Sequence, residues 1–184
     1  RYFPSRDDLL TALIIDAYNA VGEAAEAAHQ AAADAGAVQR WIAVSEAVRA
    51  WALAHPHEYA LIYGSPVPGY VAPDTTIPAA SRVAFVLIGI VRDAVKGPGV
   101  TVPSLSVELR REAERLSADI APDLPPPVAA ALVAAWAQLF GLIGFELFGQ
   151  FNRVVEERDA FFRHAAAQIA RGVGLSDRAP RERG

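Results

Sequence analysis

The chain contains no cysteine, which excludes disulfides and any metal site built on thiolates. It carries no excess of positive charge: 17 Lys and Arg stand against 21 Asp and Glu, a formal net charge of −4. A surface that neutralises nucleic-acid phosphates needs clustered cations, so the body of this chain is not expected to hold DNA or RNA itself. There is no glycine-rich phosphate loop, no nucleophile elbow and no serine beside a plausible base, and Ser65 precedes a proline in a loop. The histidines, His29, His55, His57 and His164, form no ligand pair. His55 and His57 flank Pro56, a spacing that does not place two imidazoles on one helix face, and they are expected to cap a helix junction instead. No catalytic constellation, metal or cofactor is therefore expected. The first residues are charged and polar rather than an apolar leader, so a soluble cytoplasmic protein is the simplest expectation.

What the chain does have is alanine and helical spacing. Its 184 residues are 53% hydrophobic, and alanine, which loses least on entering a helix, carries much of that total. A chain of this length can bury roughly 70% of its unfolded surface around one core. Proline and glycine divide it into segments whose apolar residues recur at helical rather than alternating spacing, which predicts an all-α bundle. The first helix is expected from about Ser5, as N-cap, to Ala33, with Asp7 and Asp8 in its electropositive first turn. A second spans about 38–54. Pro56 opens a short third helix that Gly64 closes. The loop SPVPGYVAPD contains X-Pro bonds of either isomer. A fourth helix is expected as one piece over about 75–95, a more polar one over about 104–120, and two long ones over about 127–148 and 152–172. Residues 175–184 have little to bury and are expected to be disordered.

The segment VAAALVAAWAQLFGLIGFELFG is apolar nearly all round, so docking one face on one core leaves a second stripe in water. Leu132, Trp136, Leu139, Ile143 and Leu147 make one face; Val133, Ala137, Phe140, Gly141, Gly144, Phe145 and Phe148 lie towards another. A membrane span is opposed by Gln138 and Glu146 within the run and by Pro125 to Pro127, where basic anchors are expected. A dimer seam is the alternative, formed by Val133, Ala137, Gly141, Gly144, Phe145 and Phe148 and completed by Phe161 and Phe162. Glu146 is expected to pair with Arg82, Arg92 or Arg153, or to face water at the rim. Arg82 and Arg92 could themselves meet an acidic ligand or snorkel outward.

Three stretches in order resemble the tetracycline-repressor-like (TetR) regulators, particularly the branch whose C-terminal domain bears a Trp-His-Gly signature. RYFPSRDDLL is similar to the end of the recognition helix and the start of the next. AHPHEYALIYGSPVPGY resembles the His-Pro helix start with tyrosines, a glycine stop and a proline-rich loop. AWAQLFGLIGFELFGQF resembles the signature helix, with Trp136 and Gly141 in place and Phe140 where histidine usually stands. The last departure implies a more apolar pocket or a packing role.

The resemblance implies a helical effector-binding domain over 5–174 that dimerises through its last two long helices as a four-helix bundle. It also implies a remnant of a helix-turn-helix headpiece over 1–4, with Arg1 and Tyr2 near DNA. The expected partners are a second copy, operator DNA through that headpiece, and a small hydrophobic effector whose binding relieves operator binding. The candidate effector residues are Trp51, Tyr59, Tyr63, Tyr70, Phe85, Ile88, Arg92, Trp136, Leu139 and Phe140. The first helix is the expected lever, through Leu10, Ile14 and Tyr18. Tyr59 and Tyr63 fit core packing equally well, and for Trp51, Phe85 and Trp136 core packing is the leading reading. A helical carrier or enzyme without a DNA role, and a structural interaction module with a filled core, are the competing classes.

Overall fold

The computed structural model describes residues 3–97 and 99–177, and among them every regular element is helical. The order is α1 (Arg6–Ala31), α2 (Ala37–Ala54), α3 (Pro56–Tyr63), α4 (Ile77–Ala80), α5 (Arg82–Lys96), α6 (Arg110–Ile120), α7 (Pro126–Leu147) and α8 (Arg158–Val173), with short 3-10 turns leading into α4 and α6. The all-α expectation holds. Arg1 and Tyr2, expected near DNA, lie outside the described residues.

Helix α1 begins where its cap dictates. The Ser5 hydroxyl accepts from the Asp8 amide at 3.1 Å and donates to the Asp8 carboxylate at 2.6 Å, satisfying a first-turn donor beside the positive end of the helix. Gly36 starts α2 and has no side chain to cap it. The Asp177 carboxylate supplies the cap from the other end of the chain, accepting from the Val38 amide at 2.9 Å. Leu175 is buried and the Gly174 carbonyl accepts from the Thr101 amide at 2.9 Å. Ordered packing therefore continues through Asp177, beyond the expected start of the tail at 175, because a buried leucine and an unsatisfied helix end both need it. Residues 178–184 of the expected tail lie outside the described residues.

His55 does sit at the α2–α3 junction: its ring stacks on Trp51 and its Nδ1 lies 3.0 Å from the Trp51 carbonyl, while Pro56 occupies the first turn of α3. Among the described residues no peptide bond is cis. The single helix expected over about 75–95 is two, meeting at Ser81 with a bend of 45°. Pro78 lacks an amide donor, and the Ser81 hydroxyl donates back to the Ile77 carbonyl at 2.8 Å, a bond that bends helices. Helix α8 starts at Arg158, later than the expected Asn152. Gly149 and Arg153 adopt left-handed φ values of 82° and 62°, and their turns occupy the intervening residues, because a helix cannot pass through such positions.

The core lies where α1, α2, α5, α7 and α8 converge, around Val21, Trp41, Val48, Ile90, Leu139 and Ile143. Helices α1 and α5 approach closely at Gly22, where an added Cβ would meet the Arg82 Cβ at 2.7 Å. Arg82 then reaches along α1 to both carboxylate oxygens of Glu26 and to Asn19, and this bonding holds the Glu26 carboxyl below its ordinary range. Helix α7 turns Val128, Leu132, Ala135, Leu139, Ile143 and Glu146 inward. It is long and apolar enough to cross a membrane by length and composition, and it is the only such single helix among the described residues.

Glu146 pairs with Arg49 rather than with Arg82, Arg92 or Arg153. Two 2.7 Å bonds join the guanidinium fork to both carboxylate oxygens, and the third nitrogen reaches Asp159 on α8 at 2.8 Å. The Arg49 guanidinium also lies over the Phe162 ring, 5.1 Å from its centroid. Removing one partner of a buried pair leaves the other charge poorly compensated, and without Glu146 the Arg49 guanidinium keeps only the solvent-exposed Asp159. Glu146→Ala is therefore expected to cost about 3 kcal/mol, read as a lowered urea midpoint, whereas Arg49→Met combined with Glu146→Leu recovers most of that loss.

Candidate functional site

Beside the bend at Ser81 lies a cavity of about 730 Å³. Its walls come from Ile14 and Tyr18 of α1, the α4–α5 segment around Ile77, Ser81, Phe85 and Ile88, and Leu132, Val133 and Trp136 of α7. The proline loop after α3 contributes Pro66, Val67 and Tyr70, and the last turn of α6 contributes Asp119 and Ile120. Ile77, Phe85 and Trp136 remain solvent-exposed, as expected of apolar residues at a mouth. A volume of this size, lined mainly by apolar side chains with a few polar atoms, suits a drug-sized molecule, for which sites run from about 300 to 1,000 Å³.

Two tyrosines anchor the cavity wall to α1. The Tyr18 hydroxyl donates to the Ile62 carbonyl at 3.1 Å, tying the end of α3 to the first helix. Tyr70 carries the proline loop back to α1 through a 2.8 Å bond with Thr11. Behind this wall stands an aromatic cluster. Tyr63 meets Tyr18 edge-on at 5.7 Å and stacks on Phe140 at 4.0 Å, and Tyr59 adjoins Tyr63, Phe140 and Phe148. The Tyr59 hydroxyl donates to the Phe140 carbonyl at 2.9 Å. Ring contacts thus run from α1 through α3 to α7 without a break.

Of the residues expected to bind an effector, Tyr70, Phe85, Ile88 and Trp136 line the cavity. Tyr59, Tyr63 and Phe140 face a second hollow of about 590 Å³, shared with Gly141, Gly144, Phe145, Phe148 and Gln150. Trp51 and Leu139 are core residues. Arg92 is bonded to Asp123, a pairing of α5 with the turn before α7, and takes no part in the cavity.

The residues expected at a seam are also divided. Ala137, Gly141, Phe145 and Phe148 are exposed on α7, and Phe161 is exposed on α8. Phe145, Phe151 and Phe161 form a run of edge-on contacts at 5.8 and 5.6 Å. Gly144 is half-buried, Val133 turns into the cavity, and Phe162 is 2% exposed beneath Arg49. Adjacent residues on a helix point about 100° apart, so Phe161 and Phe162 cannot serve one surface.

Sequence reasoning missed Asp119 and Ile120, because α6 reads as a solvated helix. The available signal was the spacing of its few small or apolar positions: Ala113 and Ser117 are buried, and Ile120 continues that stripe to the cavity mouth.

Residues 41–169 match the model of the tetracyclin repressor-like C-terminal domain. The chain is 35% identical over 164 residues to the HTH-type transcriptional regulators Rv1816 of Mycobacterium tuberculosis and Mb1846 of Mycobacterium bovis. Each match covers 83% of this chain and 66% of the relative, so the chain spans just under two thirds of those proteins' length. The fold is similar to the crystal structure of SCO4313, described as a regulatory protein, with a TM-score of 0.68 and 30% identity over 92% of this chain and 75% of that one. A Rhodococcus sp. RHA1 protein of unknown function shares the fold at a TM-score of 0.62 and 21% identity, covering 95% and 76% of the two chains.

Burial raises the phenols of Tyr18, Tyr59 and Tyr63 above their ordinary value of 10, because a phenolate loses its hydration there. The unfolded chain ionises first, so the stability conferred by these neutral phenols is complete below pH 10 and declines as pH rises through their folded values. An ultraviolet phenolate titration is expected to show all three ionising well above pH 10, together with loss of helical circular dichroism. Titration of all three at their ordinary value in a folded protein would contradict the observed burial.

Proposed function

Because the chain belongs to the tetracyclin repressor-like family of transcriptional regulators, we propose that it is the effector-binding and dimerisation part of a ligand-responsive repressor. The observation that carries this reading is the position of the cavity against α1. An occupant touching Ile14 and Tyr18 contacts the helix that, in the full-length regulator, continues from a helix-turn-helix headpiece. Occupancy that favours one inclination of α1 sets the separation of two headpieces on the operator. A differential affinity worth about 1–3 kcal/mol changes operator affinity some 5- to 150-fold. The effector is a small hydrophobic molecule, in keeping with an apolar lining, and the protein works in the cytoplasm, where its operator is.

The dimer reading rests on the outer face of α7. Ala137, Gly141, Phe145 and Phe148 make an apolar stripe that continues onto Phe161 of α8, and an exposed patch of this kind marks an interaction surface. Two copies related by a two-fold axis cover it with α7 and α8 of each protomer, a four-helix arrangement in which glycine at 141 permits close approach. The same stripe accounts for the membrane-like composition of α7 without a bilayer.

Two measurements test this reading. Light scattering is expected to give twice the 19.6 kDa of one chain, and Phe145→Glu, at an exposed position, to give a folded monomer. A monomeric unmodified protein at micromolar concentration contradicts the seam. Fluorescence anisotropy of the full-length protein on the DNA upstream of its own gene is expected to give a dissociation constant of about 10⁻⁸ M or tighter at physiological salt. Affinity equal to that for a scrambled duplex, after any bound effector has been removed, contradicts the regulator reading.

A further inference from the structure

We infer that the cavity selects a neutral or singly cationic, largely apolar molecule bearing a hydrogen-bond donor, and rejects carboxylates and phosphates. This inference deepens, and rests on, the reading of the cavity as the effector site.

It follows from where each polar proton goes. Among the described residues no Lys, Arg or His lines the cavity. The Tyr18 hydroxyl donates to the Ile62 carbonyl at 3.1 Å, Thr76 to the Pro73 carbonyl at 2.8 Å and Ser81 to the Ile77 carbonyl at 2.8 Å. A hydroxyl has one proton and two lone pairs, so these groups present only acceptor capacity to an occupant. Tyr70 and Thr11 share one 2.8 Å bond in which either hydroxyl can donate. The side-chain donors left to an occupant are therefore the indole N–H of Trp136 and, where Thr11 is the donor, the Tyr70 hydroxyl.

The charge at the mouth has the same sense. Asp119 lines the cavity, and its carboxylate accepts from Arg115 at 2.9 Å. That guanidinium is shared with Glu112 on the same helix. Asp119 is the charged group in the wall, and Arg115 offsets its charge in part. A carboxylate or phosphate entering the cavity gives up its hydration and meets hydroxyl lone pairs and Asp119 with no cation in the wall, a costly way to bury a charge. An ammonium, amine or alcohol finds acceptors in Tyr18, Thr76 and Ser81, and its cationic form gains from Asp119.

The test uses three probes of equal chain length on the full-length protein: decylammonium, 1-decanol and decanoate, each below its micellar or solubility limit, followed by titration calorimetry. The ammonium and the alcohol are expected to bind once per protomer, and decanoate to bind at least ~tenfold more weakly than the alcohol. Asp119→Asn, at an exposed position, lowers ammonium affinity by about two- to fivefold and leaves the alcohol unchanged. Ala84→Trp, which places an indole in the cavity, weakens alcohol binding. Decanoate binding as tightly as the alcohol overturns the charge selection while leaving the effector cavity standing. Alcohol affinity unchanged by Ala84→Trp, or no saturable binding by any probe, overturns the cavity reading and the selection with it.

Discussion

The rotation of α7 about its own axis is the constraint on which the rest of the structure depends. A helix apolar on nearly every side has no strong hydrophobic preference for which face enters the core, since many rotations bury similar areas. Glu146 removes that freedom. Its carboxylate is met by the guanidinium fork of Arg49 at 2.7 Å on both oxygens, a bidentate geometry with narrow angular tolerance. With Glu146 turned inward, Leu139 and Ile143 enter the core, Phe145 and Phe148 point outward, and Trp136 is carried to the cavity mouth. Arg49 also reaches Asp159, so the same guanidinium sets the start of α8 against α7.

Helix α1 is the second shared element. It packs against α2, α3, α4 and α5, and its inner face serves both the core, through Val21 and Ala25, and the cavity, through Ile14 and Tyr18. The missing side chain at Gly22 allows Arg82 to lie flat across it. Movement of α1 is thus tied to α5 by the Arg82–Glu26 bond, to α3 by Tyr18 and to the proline loop by Tyr70. Of the side chains that wall the cavity, Ile14 and Tyr18 belong to α1 and Tyr70 is bonded to it.

The aromatic residues separate into three groups by what surrounds them. Trp41 and Phe162 are buried and pack. Tyr18, Tyr63, Tyr59 and Phe140 form the partition between the cavity and the second hollow. Phe145, Phe148, Phe151 and Phe161 form the outer stripe. The cavity lies on one side of this partition and the exposed stripe of α7 adjoins the other, so the proposed effector site and the proposed seam are separated by these rings.

Local chemistry made much of this legible from sequence. Ser5 starts α1 because its hydroxyl can cap, Pro56 opens α3 because it needs no amide bond, and the apolar spacing of α7 announces a helix with more apolar surface than one core covers. Motif resemblance in three stretches pointed to the regulator family before any packing was known. Distances along the chain set the limit. Nothing local marks Arg49 as the partner of Glu146, 97 residues away, nor Asp177 as the cap of α2, 139 residues from Val38. Tyr59 and Tyr63 resemble cavity residues as well as partition residues, and only the direction in which α3 meets α7 decides between them. Phe161 and Phe162 read alike in sequence and are separated by a rotation of about 100°. Local spacing marks most of the helical segments and the family they resemble, though not the break at Ser81 or the turns before Arg158; which face each helix shows depends on partners remote in the chain and appears only in the packed fold.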